Sequence, residues 1–250
     1  MEKISIIIPS YDRPHLAEKL KASILALHPG TEVIIVEGLQ NISQARNIGW
    51  RQSKGELLFF FDNDVEILPT TVPAHLAAYS QKGVHAIAGR AINDGEVVPQ
   101  DTAVETGQTD ILIRSFTSAF WSTKKQSVRF PYGCHFSCRR TAIEDVGGFD
   151  ESFPNFFDEI DFGLRLTAKG HQMLFCPEAL VYHHKAPGGG ITREKSEVIQ
   201  QHFYRAYGRM IAKHVPLILQ PLSFALKARH AITNHALNVF VDGYASYYRN

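Results

Sequence analysis

The first third of the chain alternates short apolar runs with segments whose apolar residues recur every three or four positions. The apolar runs are bounded by turn residues and predict buried strands at residues 4–8, 32–36, 57–61 and 86–91. The segments with helical spacing predict helices at residues 13–27, 42–54 and 70–82, with Gly55 just past the end of the second. Because strands and helices alternate with short connections, we expect an α/β fold with a Rossmann-like, mostly parallel sheet flanked by helices.

The later part of the chain is less regular. Residues 93–130 are polar and irregular, which indicates an insertion over a site rather than a part of the core. Further elements are predicted as a helix at 158–169, strands at 172–176 and 180–183, and helical structure from residue 194, interrupted at Pro216 and Pro221. The glycines at 188–190 predict a mobile hinge or lid. We therefore expect a domain at 1–190, with halves of about 1–92 and 93–190, and a helical extension at 191–250.

The charge of the chain is balanced overall but not along its length. The 26 Lys and Arg against 25 Asp and Glu give a net charge of +1, which excludes a dedicated nucleic-acid-binding protein. Residues 1–190 hold 18 basic and 22 acidic side chains (−4), and residues 191–250 hold 8 and 3 (+5).

The basic end has two interpretations. The favoured one is a helix packed on its own domain, with the apolar face Ile199, Phe203, Ala206, Tyr207 and Met210 and the basic edge His202, Arg205, Arg209 and Lys213. The other is peripheral contact of residues 195–250 with an anionic membrane or a lipid-diphosphate acceptor. Residues 214–226 are apolar and predict, alternatively, a homodimer interface.

Two features bear on the compartment. The three cysteines, Cys134, Cys138 and Cys176, are too few for a disulfide framework and are expected to be buried thiols. The amino-terminal apolar run is too short for a signal peptide or a membrane span. The expected location is therefore the cytoplasm, or the cytosolic face of a membrane.

The strongest local signal for chemistry is Asp62-Asn63-Asp64, which follows the aromatic strand Phe59-Phe60-Phe61. Two carboxylates at the end of a strand suit Mg²⁺ or Mn²⁺, and such an ion holds a diphosphate. The alternative is a polar turn without a ligand, because Asp and Asn are common turn residues.

A second acidic group, Asp158-Glu159-Ile160-Asp161, opens a predicted helix. Acids at a helix start complement its dipole, and Asp158 with Asp161 matches a capping box. Three acids exceed what capping requires, however, and crowded carboxylates raise one another's pKa, which suits a general base. Further along, His183 and His184 end a strand, whose alternation allows at most one of them to complete a metal site with Asp62 and Asp64.

Taken together, these stretches resemble the family 2 glycosyltransferases, which have the GT-A fold. The resemblance covers about residues 3–185, and its motifs occur in the family's order and spacing: Pro9-Ser10-Tyr11, Ala45-Arg46-Asn47, Asp62-Asn63-Asp64, Gly148-Phe149-Asp150-Glu151, Asp158-Glu159-Ile160-Asp161 and Tyr182-His183-His184. The resemblance implies an inverting, metal-dependent transfer of a sugar from a nucleotide-diphosphate sugar to a saccharide or lipid-linked acceptor, in polysaccharide or glycoconjugate biosynthesis.

The resemblance also implies roles for individual residues. The nucleotide-binding residues are Pro9, Tyr11, Arg13, Glu37, Arg46, Asp62 and Asn63, with Tyr11 stacking on the base. The ligands of Mn²⁺ or Mg²⁺ are Asp62, Asp64 and His183. The acidic motif supplies the catalytic Asp158, Glu159 and Asp161; the family usually has Glu-Asp-x-Asp here, so Glu159 stands at the position of the base and Asp158 stays an alternative.

One departure from the family pattern concerns the donor. After the second strand the family usually has Asp-Asp or Asp-Asn, whereas this chain has Glu37-Gly38, so a UDP-sugar is favoured but dTDP and GDP stay open. Two other functions fit the sequence less well. A nucleotidyltransferase usually has a glycine-rich first loop, which residues 10–14 lack. A non-catalytic nucleotide-sugar-binding protein would not need the full set of acids together with His183.

Overall fold

The computed structural model describes residues 2–99, 102–185 and 195–249. In chain order the strands are β1 (Ile4–Ser10), β2 (Glu32–Glu37), β3 (Leu57–Phe61), β4 (Val65–Ile67), β5 (Val84–Asn93), β6 (Gln108–Thr109), β7 (Phe116–Thr117), β8 (Gln126–Ser127), β9 (His135–Arg139) and β10 (Gln172–His183). The helices are α1 (Pro14–Leu27), α2 (Ile42–Gln52), α3 (Thr71–Ala78), α4 (Arg140–Asp145), α5 (Asp158–Ala168), α6 (Ser196–His214), α7 (Gln220–Thr233) and α8 (Leu237–Tyr248).

The central sheet has the strand order β2-β1-β3-β9-β5-β10-β4, with β8 paired to β10. Five strands, β2, β1, β3, β5 and β10, run in the same direction, and β9 lies antiparallel between β3 and β5. Strand β3 is fully buried, with Phe59 and Phe61 on one face and Leu58 and Phe60 on the other. Continuous apolar runs are typical of strands covered on both faces, and helices cover both faces here.

Several predicted elements differ in the structure. Strand β9 was not predicted, because His135 and Ser137 make it look polar, yet both are buried and hydrogen-bonded to His75 through its two ring nitrogens. The two strands predicted at 172–176 and 180–183 form one strand, β10, whose register shifts between Cys176 and Leu180.

The insertion at residues 93–130 is irregular, as predicted, but it also contributes to the core, so the expectation that it lies outside the core was wrong. Ile113, Phe120, Val128 and Phe130 are buried in the same cluster as the apolar residues of α5 and α6. Their spacing is irregular because each side chain meets a different neighbour, so no periodic pattern reveals the burial.

Two assignments at helix ends were also wrong. Gly55 does not end α2 in a left-handed conformation; a Cβ there would lie 2.6 Å from the backbone nitrogen of Ser5, so glycine permits a close approach of two chain segments. Pro221 does not interrupt a helix but lies in the first turn of α7, where a missing N–H costs nothing. The predicted interruption at Pro216 is confirmed, because α6 ends at His214, and a further break lies at residues 234–236, between α7 and α8.

The carboxy-terminal helices lie against the domain. Tyr204, Tyr207 and Met210 of α6 are buried in the cluster that contains Phe157 and Phe162. Among the described residues, no helix is long and apolar enough to cross a membrane. The predicted hinge at 186–192 lies outside the described residues.

Candidate active site

Asp62, Asp64 and His183 converge at the carboxyl edge of the sheet. The turn after β3 begins where the backbone N–H of Asp62 donates to the carbonyl of Cys134 (3.0 Å). Strand β10 ends at His183, whose Nε2 lies 3.3 Å from Oδ1 of Asp64. One ligand atom from each of the three residues lies within 4.8 Å of the others. Two carboxylates and an imidazole are a donor set suited to a divalent cation.

Asn93 holds the ring of His183. The Nδ1 of His183 lies 2.9 Å from Oδ1 of Asn93, which also accepts a hydrogen bond from the hydroxyl of Tyr132 (3.0 Å). An amide oxygen only accepts, so Nδ1 carries the proton of this contact and Nε2 is the ring nitrogen that would bind a metal. A partner of this kind fixes the tautomer of a metal-binding histidine. Sequence reasoning missed Asn93, which lies 90 residues before His183 and has no motif of its own.

The next residue, His184, faces away from this cluster. Its Nε2 lies 3.2 Å from Glu66 and its Nδ1 3.1 Å from Asp94, at the exposed surface. The alternation of side chains along β10 thus assigns the two histidines to different environments, and His183 is the one near Asp62 and Asp64.

The predicted nucleotide-binding loops meet at this same edge. Arg13 lies at the start of α1, and its Nη1 contacts Oδ2 of Asp64 (3.1 Å). The side-chain amide of Asn63 donates to the hydroxyl of Ser10 (3.1 Å), which ties the turn after β3 to the loop after β1. Glu37 is exposed at the end of β2, in register with Ser10. Pro9 is the residue before Ser10 in β1, and Tyr11 is half-buried directly after that strand.

Arg46 connects Asp62, in the turn after β3, to Asp158 at the start of α5. This arginine of α2 is 1% exposed, and it forms a buried ion pair with Asp158 through Nη1. Its Nη2 lies 3.4 Å from Oδ1 of Asp62 and donates to the carbonyl of Gly133 (2.7 Å). The resemblance assigned Arg46 to the donor; here its guanidinium joins the two groups of carboxylates and stacks against Phe136 and Phe149.

Glu159 and Asp158 have different environments although they are neighbours in the chain. Asp158 is buried and paired with Arg46, whereas Glu159 stays partly exposed. Burial raises the pKa of Glu159 well above its usual value, the charge of Asp158 raises it further, and Arg46 opposes both. Burial also raises the pKa of Asp62. An accessible carboxylate with a raised pKa is what general base catalysis requires.

The capping-box interpretation of Asp158 and Asp161 was wrong. The residue before α5 is Phe157, in a left-handed conformation with φ of 65°, and its side chain makes no capping hydrogen bond. Its ring is buried instead against Phe116, Phe203 and Tyr207, which fixes the start of the helix that carries the acids.

Asp161 points away from the other acids, toward the carboxy-terminal helix α6. Its carboxylate is fully buried and contacts Lys213 Nζ (2.6 Å), His214 Nε2 (2.7 Å) and Arg165 Nε (2.8 Å). Although burial alone would raise the pKa of Asp161, the hydrogen bond from His214 and the charges of Arg165 and Lys213 lower it below its usual value. Sequence reasoning placed Lys213 on a solvated edge and missed this contact, which joins residues 52 positions apart.

The basic residues predicted to line a solvated edge of α6 mostly contact other residues of the protein. Arg205 pairs with Asp242 of α8 (2.6 Å), Arg209 donates to Ser246 (3.2 Å), and Lys213 also pairs with Asp150 (2.6 Å). The three cysteines are buried and free, as expected.

The family and the fold of the chain are shown by its similarity to known proteins. The profile described as glycosyltransferase-like family 2 matches residues 24–208. The chain belongs to this family. The resemblance inferred from its motifs is therefore confirmed, as is the predicted α/β fold of the GT-A type.

Two curated relatives and one solved structure illustrate the similarity. The O-antigen biosynthesis protein RfbC of Myxococcus xanthus is 26% identical over 74% of this chain and 17% of its own length. N-acetylglucosaminyl-diphospho-decaprenol L-rhamnosyltransferase of Mycobacterium tuberculosis is 28% identical over 70% of this chain and 61% of its own. The chain thus matches less than two thirds of either relative. The mannosyltransferase PcManGT of Pyrobaculum calidifontis, in complex with GDP-Man and Mn²⁺, shares the fold with a TM-score of 0.57 and 15% identity, covering 98% of this chain and 74% of that one.

Proposed function

We propose that this protein is a metal-dependent, inverting glycosyltransferase that moves a sugar from a nucleotide-diphosphate sugar to an acceptor hydroxyl. The observation that carries the proposal is the arrangement of Asp62, Asp64 and His183 around one point, linked through Arg46 to the acid pair Asp158 and Glu159. A cluster of cation ligands beside an accessible carboxylate of raised pKa combines the two groups that sugar transfer requires.

Asp62, Asp64 and His183 would hold the ion, and their two carboxylates and one imidazole fit Mn²⁺ better than Mg²⁺, which prefers oxygen ligands. A divalent ion supplies positive charge that stabilises the diphosphate leaving group. Arg13, Asn63 and the loop with Pro9 and Tyr11 surround the same edge and would bind the nucleotide. The GDP-Man and Mn²⁺ bound to the Pyrobaculum mannosyltransferase support this assignment.

Glu159 would act as the general base. As the acceptor oxygen bonds to the anomeric carbon, the bond from that carbon to the diphosphate oxygen breaks, its electron pair leaves with the diphosphate, and Glu159 receives the hydroxyl proton. With a single displacement and no protein nucleophile, the anomeric configuration inverts. Asp158 is the weaker candidate, because its carboxylate is buried and already paired with Arg46.

The donor and the acceptor complete the proposal. A UDP-sugar is favoured, and dTDP-sugars and GDP-sugars are the alternatives. The reason is that Glu37 stands where the family usually has the aspartate that contacts the nucleotide base. The acceptor is a saccharide or a lipid-linked saccharide in polysaccharide biosynthesis, which the names of the Myxococcus and Mycobacterium relatives support. Contact of residues 195–250 with a membrane belongs to the proposal as well.

The test is a ligand screen with the purified chain. Thermal unfolding is measured with UDP, dTDP and GDP, each with Mn²⁺, with Mg²⁺ and with EDTA. The protein is then incubated with sugar conjugates of the nucleotide that raises its unfolding temperature most. We expect metal-dependent stabilisation by one nucleotide and slow, metal-dependent hydrolysis of its sugar conjugate. Stabilisation that EDTA leaves unchanged would contradict the metal assignment. Release of pyrophosphate from a nucleoside triphosphate and a sugar phosphate would indicate a nucleotidyltransferase instead.

A further inference from the structure

The carboxy-terminal helices expose an unusual share of the protein's large apolar side chains. Of the 14 that are exposed among the described residues, eight lie within residues 217–248. Four of them lie in the 3₁₀ turn before α7 and in the first two turns of α7: Leu217 (74%), Ile218 (88%), Leu222 (52%) and Leu226 (50%). Side chains scattered singly need no explanation, but a concentration of this kind marks an interaction surface.

Leu222 and Leu226 lie on one face of α7, and the other face packs on the protein. Ile218, Leu222 and Leu226 are four residues apart, and Arg229 continues the same row. On the inner side the hydroxyl of Ser223 donates to the carbonyl of Leu112 (2.6 Å), and Phe224 packs on Phe240 and Tyr244 of α8. The apolar row therefore faces outward in a helix whose position is fixed.

The helices that form this face are poor in acidic residues. From Val198 to Val241 the chain contains no Asp or Glu, while it contains five Lys and Arg and four His. Arg205, Arg209 and Lys213 contact other parts of the protein and Lys227 lies over the ring of Tyr207, whereas Arg229 is exposed and forms no salt bridge with any described residue. An exposed aliphatic row with a neighbouring cation, on helices poor in acids, is compatible with a helix that lies in the surface of an anionic membrane.

We propose that the outer face of α7 and its preceding turn, with Ile218, Leu222 and Leu226, docks onto the surface of an anionic lipid bilayer. A second copy of the chain fits this face less well. A symmetric pair would bury both copies of Arg229 in one apolar interface, and residues 198–241 offer no carboxylate to pair with them. A bilayer with anionic headgroups provides both the apolar layer and the negative charge.

The docking face adjoins the side of the protein that carries the acid pair. Lys227 of α7 lies 3.9 Å from the ring centroid of Tyr207, whose ring packs on Phe157, the residue before Asp158. Docking would thus hold this side of the site close to headgroups, where an acceptor attached to a lipid presents its hydroxyl. The surface extends the proposed function but does not require it, because its apolar and basic residues are separate from the cation ligands and the base.

The test is sedimentation of the full chain with vesicles of phosphatidylcholine alone or mixed with phosphatidylglycerol. We expect binding to the mixed vesicles that weakens with added salt. The double substitution Leu222→Ser/Leu226→Ser is expected to lower partitioning on the order of tenfold, because two leucines lose their apolar contact with lipid. Arg229→Glu is expected to weaken binding to the mixed vesicles only.

The matched control is Leu25→Ser/Leu76→Ser, which replaces two exposed leucines on α1 and α3 and should leave vesicle binding unchanged. Equal binding by both double variants, or no binding by the unmodified chain, would overturn the proposal. So would a dimer in sedimentation velocity that dissociates in Leu222→Ser/Leu226→Ser, because the face would then join two copies. Hydrolysis of the nucleotide sugar is measured in parallel without lipid, so failure of the proposed reaction is distinguished from failure of docking.

Discussion

Asp158 is held in a buried ion pair by Arg46, whereas Glu159, the next residue, keeps a partly exposed carboxylate with a raised pKa. Because they open a helix, their side chains leave the backbone in different directions, and only one of them meets the guanidinium. The acid that stabilises the site is thereby separated from the acid that is available to a substrate. This separation allows the two roles to be tested by separate substitutions.

Replacing Glu159 by glutamine is expected to lower kcat for sugar transfer by about 10²–10⁴-fold, because the amide accepts no proton from the acceptor hydroxyl. The affinity for the nucleotide should change little, since the predicted nucleotide ligands lie elsewhere. Asp158→Asn serves as the comparison. It leaves Arg46 without its buried partner and is expected to cost about 3–5 kcal/mol of unfolding free energy, measured by denaturant titration. Normal stability with lost turnover in Asp158→Asn, together with an active Glu159→Gln, would reverse the two assignments.

Asn93→Ala is expected to weaken Mn²⁺ binding about 10–100-fold, because His183 loses the partner that fixes its tautomer and ring orientation. Titration of free Mn²⁺ by electron paramagnetic resonance measures this without a catalytic assay. The control is Tyr132→Phe, which removes the hydroxyl that donates to Asn93 but leaves the contact between Asn93 and His183. Mn²⁺ affinity that is the same in Asn93→Ala and the unmodified protein would contradict the positioning role.

The buried histidines His75 and His135 are expected to make the protein less stable as the pH falls. Burial lowers the pKa of His135 to about 3, and burial together with the charge of His135 lowers that of His75 well below its usual value. Below a pH of about 6.5 the unfolded chain therefore binds protons that the folded protein does not. The unfolding free energy should fall by up to about 1.4 kcal/mol per pH unit for each histidine between that pH and the lowered pKa.

Chemical unfolding measured across this pH range tests the expectation. The double variant His75→Gln/His135→Gln should have a flatter dependence on pH, whatever its stability at neutral pH. His15→Gln, which replaces an exposed histidine on α1, should keep the original slope. A slope that survives in the double variant would assign the pH dependence to other groups.

Lys213→Met is expected to lower the unfolding free energy by about 1–3 kcal/mol, because the fully buried carboxylate of Asp161 loses one of its charged donors. Arg205→Met, on the same helix, removes an exposed pair with Asp242 and should cost less than about 1 kcal/mol. Thermal and denaturant unfolding of the two variants measure the difference. Equal losses would show that burial does not distinguish the two contacts.

The fold could be predicted well where the evidence is local. The apolar run Leu57–Phe61 and the turn Asp62-Asn63-Asp64 coincide with the observed strand and its end, because strand propensity and turn chemistry act over a few residues. Strand β9 escaped prediction because the burial of His135 and Ser137 depends on His75, about 60 residues earlier in the chain. A polar residue in the core is recognisable only when its partner is known.

By itself the sequence indicated the family, the order of the strands and helices along the first part of the chain, and a set of candidate carboxylates and histidines for the site. Only the tertiary structure decided that His183 rather than His184 faces Asp64, that Asn93 holds its ring, and that Arg46 engages Asp158 and leaves Glu159 accessible. It also decided that Lys213 pairs with the buried carboxylate of Asp161. The apolar side chains on the outer face of α7, in contrast, stay exposed. The physical reason is the same in each case: residue type and spacing fix what a side chain can do, but its partner and its burial depend on residues that only folding brings together.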